Sequence, residues 1–467
     1  MRLLKASHSP RKSKPAATDV YPWTNAASSL YLAGMKDLIP IKAILYLALA
    51  ACVMIPGAAD AAEMRTWTNL KGQKLKAQLL SADNENVRLR LESGRDVTVP
   101  RKTLSIGDQQ FIKEYGGGAG APIDPKAKLT VPEKTMKFDS KTIKRRDSDG
   151  DGRDDKFIFP DGYSLRFDMV ETEHFLVMSS GSVRGKDTAE LAERLWYGMN
   201  FQHPGFAEKW GDEKMAIFLC GEDEDYKILG QYCVDLIAKG GNAQEAANTA
   251  KTWPASSGST LSLGNDLADE YGVMMRARAF KASDKRRFKR GVWNPFPAHC
   301  LAGSILRVQM GGSGGGAGSE GYFAITTGHS YYKEIQLTDE TVTSMVDANT
   351  YESDELVKAG GFDDGRKWAR TLRDLVKKGK VVPSIEKLYR TESAMQLTPE
   401  LTVSMYGFAR YMQSTPDRLA KFSKAMDLVD TSRSIPVPLE LAKIFGFKTV
   451  KEFEDDWIAY MKSTAFK

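Results

Sequence analysis

The sequence predicts an α+β chain in which a small β-barrel precedes a mixed α/β segment that gives way to helices. Three observations carry this expectation. Short runs of alternating apolar and polar residues, separated by turn residues, fill 64–115. From residue 165 apolar strand runs alternate with helical periodicity, and after residue 296 the helical period dominates. At 467 residues there is room for two or three domains, and 42% apolar with 27% charged residues excludes wholesale disorder.

The first 61 residues read as a leader. They hold seven Lys/Arg and three Asp/Glu, so of the formal charge of +6 only +2 belongs to the remainder. That near-neutral body gives no electrostatic case for nucleic acid. Lys36 and Lys42 precede an apolar run over 43–55, followed by Pro56 and the small residues Ala59-Asp60-Ala61. This is the layout of a signal peptide with its true start at Met35. The run is too short to span a bilayer, which needs about 20 apolar residues. The expectation is export to the periplasm or the extracellular space. Leu49-Ala50-Ala51-Cys52 also reads as a lipobox, so lipoprotein anchoring through Cys52 is the alternative. After processing, Cys220, Cys233 and Cys300 remain; Cys220 and Cys233 either pair or are buried apolar thiols.

Residues 62–115 form the first folded unit. Strands are expected over 75–79, 87–91 and 97–99, with turns at Asp83-Asn84-Glu85-Asn86 and Glu92-Ser93-Gly94-Arg95, and a short helix over 105–115. Five short strands in about fifty residues suggest an SH3-like barrel. Arg65-Thr66-Trp67, Gly72-Gln73-Lys74-Leu75-Lys76-Ala77, Val97-Thr98-Val99-Pro100 and Leu104-Ser105…Asp108-Gln109…Phe111 resemble the Sla-one homology domain. The resemblance implies a protein-binding or self-associating module, with Trp67 and Pro100 as its contact residues.

Residues 116–136 read as a linker, and 137–164 as a strand segment carrying an Asp-rich loop. In that loop Asp147, Asp149, Asp151 and Asp155 alternate around Gly150 and Gly152, a spacing that can wrap calcium with oxygens at about 2.4 Å. Ile158 stands where an EF-hand has its bidentate Glu, and an acidic β-turn is the other reading.

Residues 165–467 form the large domain. Strands are expected over 173–178 and 215–219, and a helix over 188–200 with Leu191, Ala192, Leu195, Trp196 and Met199 on one face. Helices are expected near 297–310, 319–334, 365–378, 383–390, 399–413, 416–427, 437–445 and 449–463. The ordered series Glu173-His174-Phe175, Ser319-Glu320-Gly321, Val382-Pro383-Ser384-Ile385-Glu386 and Phe453-Glu454-Asp455-Asp456-Trp457 resembles the peptidase-MA-like gluzincins. That resemblance implies a mixed α/β to all-α gluzincin-like metallopeptidase fold.

The family's chemistry needs His-Glu-x-x-His on one helix: two imidazoles for zinc and a carboxylate as general base. At the matching place stand His299, Cys300 and Gly303, so the motif is degenerate. By the resemblance, His299 and Glu320 are vestigial metal ligands, and zinc is not expected. Two rebuilt sites are conceivable, His299/Glu320/His329 and a Cys300–His nucleophile pair. Gly311 to Gly318 join the two helices without a following Lys-Ser/Thr, which excludes a phosphate loop. The basic run 276–290 could meet an anionic envelope polymer, or be a solvated loop. His174 and His203 have no partner legible in the sequence.

The function expected is that of a secreted, non-catalytic protein-binding scaffold with a pseudo-metallopeptidase domain, taking a protein or peptide ligand or associating with itself. The alternatives are an active zinc metallopeptidase with unusual ligands and a calcium-dependent structural or adhesive envelope protein.

Overall fold

The computed structural model describes residues 64–115, 129, 144–145, 156–160, 162–285, 287–289, 291–312, 315–341 and 364–467. The leader with Cys52, the 116–128 part of the linker and the Asp147–Asp155 loop lie outside the described residues.

The N-terminal unit is an antiparallel sheet of β1 (Met64–Thr68), β2 (Lys74–Ala82), β3 (Asn86–Leu91) and β4 (Asp96–Pro100), in that order, followed by helix α1 (Ile106–Tyr115). Where a fifth strand was expected, the sheet closes through a single bridge between Asn69 and Leu104. Alternation along β2 and β3 sends Ala77, Leu79, Val87 and Leu89 inward against Trp67, Phe111 and Ile112. Trp67 is 1% exposed and its indole donates to the Ala77 carbonyl at 2.8 Å. It is a core residue with no face left for a partner, contrary to the contact role expected of it. Pro100, at the end of β4, is exposed.

The second sheet runs β10 (Gly258–Ser262), β11 (Arg276–Lys281), β9 (Met215–Cys220), β8 (Phe175–Ser179), β7 (Arg166–Glu171), β5 (Lys144–Arg145), with β6 (Lys156–Ile158) also on β7. β9 is parallel to β8 and β11, and the other pairings are antiparallel. β8 and β9 are buried along their whole length, because helices cover both faces. Phe175, Val177, Ile217, Leu219 and Phe280 face α2 (Lys186–Gln202) and α7 (Pro295–Gln309). Leu176, Met178, Ala216, Phe218, Ala277 and Ala279 face α4 (Asp223–Lys239). Three further short helices lie between these strands: α3 (Phe206–Trp210), α5 (Ala243–Thr252) and α6 (Asn265–Tyr271).

α8 (Tyr322–Thr338) pairs with α7, and beyond it come α9 (Gly365–Lys377), α10 (Ile385–Tyr389), α11 (Pro399–Met412), α12 (Pro416–Ser432), α13 (Pro438–Ile444) and α14 (Val450–Lys462). Thr or Ser side chains cap α10, α11, α12 and α14, and Pro opens α11, α12 and α13. No helix among the described residues is long and apolar enough to cross a membrane.

Gly328 brings α8 against α11. A Cβ there would sit 2.4 Å from the Met405 carbonyl oxygen and 3.3 Å from the Ala409 methyl. Alanine gains about 1 kcal/mol in helix propensity over glycine, but overpacking against backbone costs about 1–3 kcal/mol or more. We expect Gly328→Ala to lower the urea midpoint by the equivalent of about 2 kcal/mol; an unchanged or raised midpoint would show that the helices part without cost.

Candidate functional site

Two buried polar assemblies lie on the elements singled out by sequence. The first fills the seam between α7 and α8. Residues 299, 303 and 307 repeat every four positions and share one face of α7, with Cys300 beside them; 322, 326 and 330 do the same on α8, with 323 and 327 beside them. Together they line a cavity of about 50 Å³, with Glu392 at its rim.

His299 is buried, and its Nδ1 lies 2.9 Å from Oε2 of Glu334, a carboxylate with no exposure at all. A carboxylate only accepts, so Nδ1 carries a proton. Tyr331 meets the ring edge-on at 4.5 Å. Glu320, the expected ligand, is exposed ahead of α8 and does not line the cavity. Glu334 takes the place beside His299 that sequence reasoning missed. Its signal was visible: it is the one acidic residue in the whole of α8.

Cys300 faces the buried Arg278 of β11, and burial holds its thiol above the ordinary value although Arg278 pulls it down. A thiol so held is not the thiolate a nucleophile pair requires, and its neighbour His299 is engaged with Glu334. A Cβ on Gly303 would meet Ser330 Oγ at 2.8 Å, so as packed there is no room for a second imidazole. His329 looks the other way, with Nδ1 3.3 Å from Gln413 Nε2 and its ring against Phe422. The structure therefore does not bring His299, Glu320 and His329 together. Among the described residues no three His, Cys, Asp or Glu side chains are grouped to hold a metal.

Within the basic run, several of the described side chains are buried or paired. Arg278 is 2% exposed, Lys281 pairs with Asp223 at 3.0 Å, Arg287 with Asp284 at 3.5 Å and Lys289 with Glu340 at 3.7 Å. Residues 276–281 form β11, since alternation sends Ala277 and Ala279 to the α4 side and Arg278 and Phe280 beneath α7.

The second assembly joins the N-terminal sheet to the larger domain. Lys74 on β2 places Nζ 2.9 Å from Glu173 Oε1 and 3.0 Å from His174 Nε2, and 4.0 Å above the Trp196 ring. His174 stacks on Trp196 at 3.5 Å, while Glu193 accepts from its backbone N–H and from Nδ1, each at 2.8 Å. Burial keeps the ring below its ordinary pKa against the pull of Glu193, so His174 is neutral and accepts from Lys74. Nearby, buried Arg65 pairs with Asp108 at 3.1 Å, and Asn200 donates to Thr68 at 2.8 Å.

Cys220, Cys233 and Cys300 are buried free thiols, and burial pushes Cys233 up to about 11.

Neither curated proteins nor solved structures give a match to the chain. Residues 57–118, which include the whole N-terminal sheet and α1, match the family model of SLA1 homology domain 1, SHD1, so this part of the chain is similar to that domain.

Proposed function

We propose that the chain is an exported, non-catalytic binding protein in which an SHD1 module of SH3-like build is joined to a domain with the frame of a gluzincin peptidase, its cleft reused to hold a peptide. SHD1 is a protein-interaction domain, which supports a protein or peptide partner. The frame reading is supported by an antiparallel edge strand, β10, beside parallel β11 and β9, with the His299 helix across their face and helices alone thereafter. Export rests on the charge, apolar run and small residues of 1–61.

The observation that carries the reading is the make-up of the α7–α8 seam. One imidazole stands there with a protonated thiol, a glycine and the hydroxyls of Thr326, Thr327 and Ser330. Catalytic zinc is held by three protein ligands, and these residues do not fit it. Loss of the general base alone removes about 10²–10⁴-fold in rate.

One observation favours an active zinc peptidase instead. A carboxylate on Nδ1 is how metal-binding imidazoles are oriented, and Glu334 stands there. Metal analysis and a casein digest separate the two. The purified chain is expected to carry less than stoichiometric zinc and to leave casein intact. Hydrolysis that a chelator abolishes, and that His299→Ala removes, would overturn the proposal.

A further inference from the structure

We propose that the seam between the small sheet and the larger domain is a latch that a proton opens: Lys74 and a proton compete for the one lone pair on Nε2 of His174. Glu193 is wholly buried and accepts from Nδ1 at 2.8 Å, which fixes the tautomer and leaves Nε2 as the bare nitrogen. Lys74 Nζ, reaching over from β2, stands 3.0 Å from it. An ammonium has donors and no acceptor. Once Nε2 is protonated, two donors of like charge face each other at a separation suited only to a donor and an acceptor, and Lys74 must withdraw. Lys74 lies 4.0 Å above the Trp196 ring and 4.9 Å above that of Tyr197, which are 2% and 8% exposed. Its withdrawal opens both rings to water.

The other groups around the imidazole do not relieve the conflict. On α2, Glu193 is engaged by Nδ1 and by the backbone N–H of His174, and Tyr197 donates to Glu173 at 2.9 Å. Glu173 lies 3.8 Å from Nε2 but also accepts from Lys74 at 2.9 Å, so the ring proton and Lys74 compete for that carboxylate as well. Lys214, just ahead of β9, donates to the Thr172 and Glu173 carbonyls and adds a second cation there. From α3 the ring meets Trp210. Burial, opposed by Glu193 and aided by Lys74, holds His174 below its ordinary value. The contact is therefore complete above about pH 6.5 and is lost as pH falls towards the folded value. The remaining ties carry no imidazole: Asn200 donates to Thr68 at 2.8 Å, Arg65 pairs with Glu208 at 3.5 Å, and Ile106 packs with Phe201 and Leu419. They hold the small sheet at β1 and α1 while the Lys74 contact lets go.

Hydroxyl-radical footprinting of the full chain at pH 7 and pH 5, read by mass spectrometry, tests this at the two rings. Oxidation of Trp196 and Tyr197 is expected to rise about threefold or more on acidification, while Trp457, buried in α14, stays unchanged. In His174→Gln the amide still donates to Glu193 and accepts from Lys74 but takes no proton, so the rise is expected to vanish. No rise in the wild type, a rise that Trp457 shares, or an equal rise in His174→Gln overturns the latch. Should His174→Gln fail to fold, Lys74→Met keeps a stem over Trp196 without the charge. Because the coupling is reciprocal, that variant is expected to raise the His174 pKa, followed by NMR, by about one unit; an unchanged pKa overturns the proposal.

Discussion

Replacing Glu193 with alanine is expected to lower the unfolding free energy by about 2–6 kcal/mol, from about 1–3 kcal/mol for each of two buried donors left without an acceptor. The side chain is wholly buried and satisfies two donors of one residue, the backbone N–H and the Nδ1–H of His174. Without it both donors are orphaned, the ring is free to leave the Trp196 face, and Lys74 loses the acceptor it reaches from the N-terminal sheet. The damage therefore spreads across the contact between the two units. Urea denaturation followed by tryptophan fluorescence measures it. Glu193→Gln keeps one acceptor and is expected to recover about half of the loss. A change below about 1 kcal/mol for the alanine variant would mean that the ring is held by stacking alone.

Acidification should act on the same scale. Burial, reinforced by the Lys333 and Lys209 charges, pushes His203 down to about 3. His329 is driven well below its ordinary value by burial and by Lys333 and His203, and His174 is lowered by burial in spite of Glu193. In each case the folded value lies below the unfolded one. The contribution is therefore complete above about pH 6.5 and is lost as pH falls towards the folded values, because the unfolded chain binds the protons first. For His203 the loss at pH 4.5 is about 3 kcal/mol. Asp108 works in the opposite sense: burial raises it to about 6, so it returns about 2 kcal/mol at that pH. The His203 loss alone exceeds that return, and the balance is a net loss. Denaturation midpoints between pH 7 and 4.5 should fall steeply for the wild type and less steeply for His203→Gln; parallel profiles would refute the assignment.

Much of this architecture could be read in the chain because it is local. The alternation of 75–79 and 87–91 fixes the inward faces of β2 and β3, and the 3.6-residue spacing of Leu191, Leu195 and Met199 marks α2. What escaped depends on distant partners. Gly258–Ser262 has the composition of a turn and becomes β10 by pairing with β11. The basic residues of β11 hid a strand whose small alternate residues are Ala277 and Ala279. The site was legible as far as His299, Cys300 and Gly303, whose helical spacing sets one face. Glu334 lies 35 positions from His299 and Lys74 100 from His174, separations that no periodicity encodes. Glu320 was assigned by its motif, whereas packing of α8 selects Glu334, about four turns further on.

The Lys74 contact has a consequence for competition. A group tethered within its own chain acts at an effective concentration in the millimolar range. Any visitor seeking the Lys74 surface of the small sheet must displace a neighbour present at that level, and its apparent affinity is lowered accordingly. Arg88 and Arg90, exposed on β3 and paired with Asp96, meet no residue of the larger domain in an ion pair among the described residues.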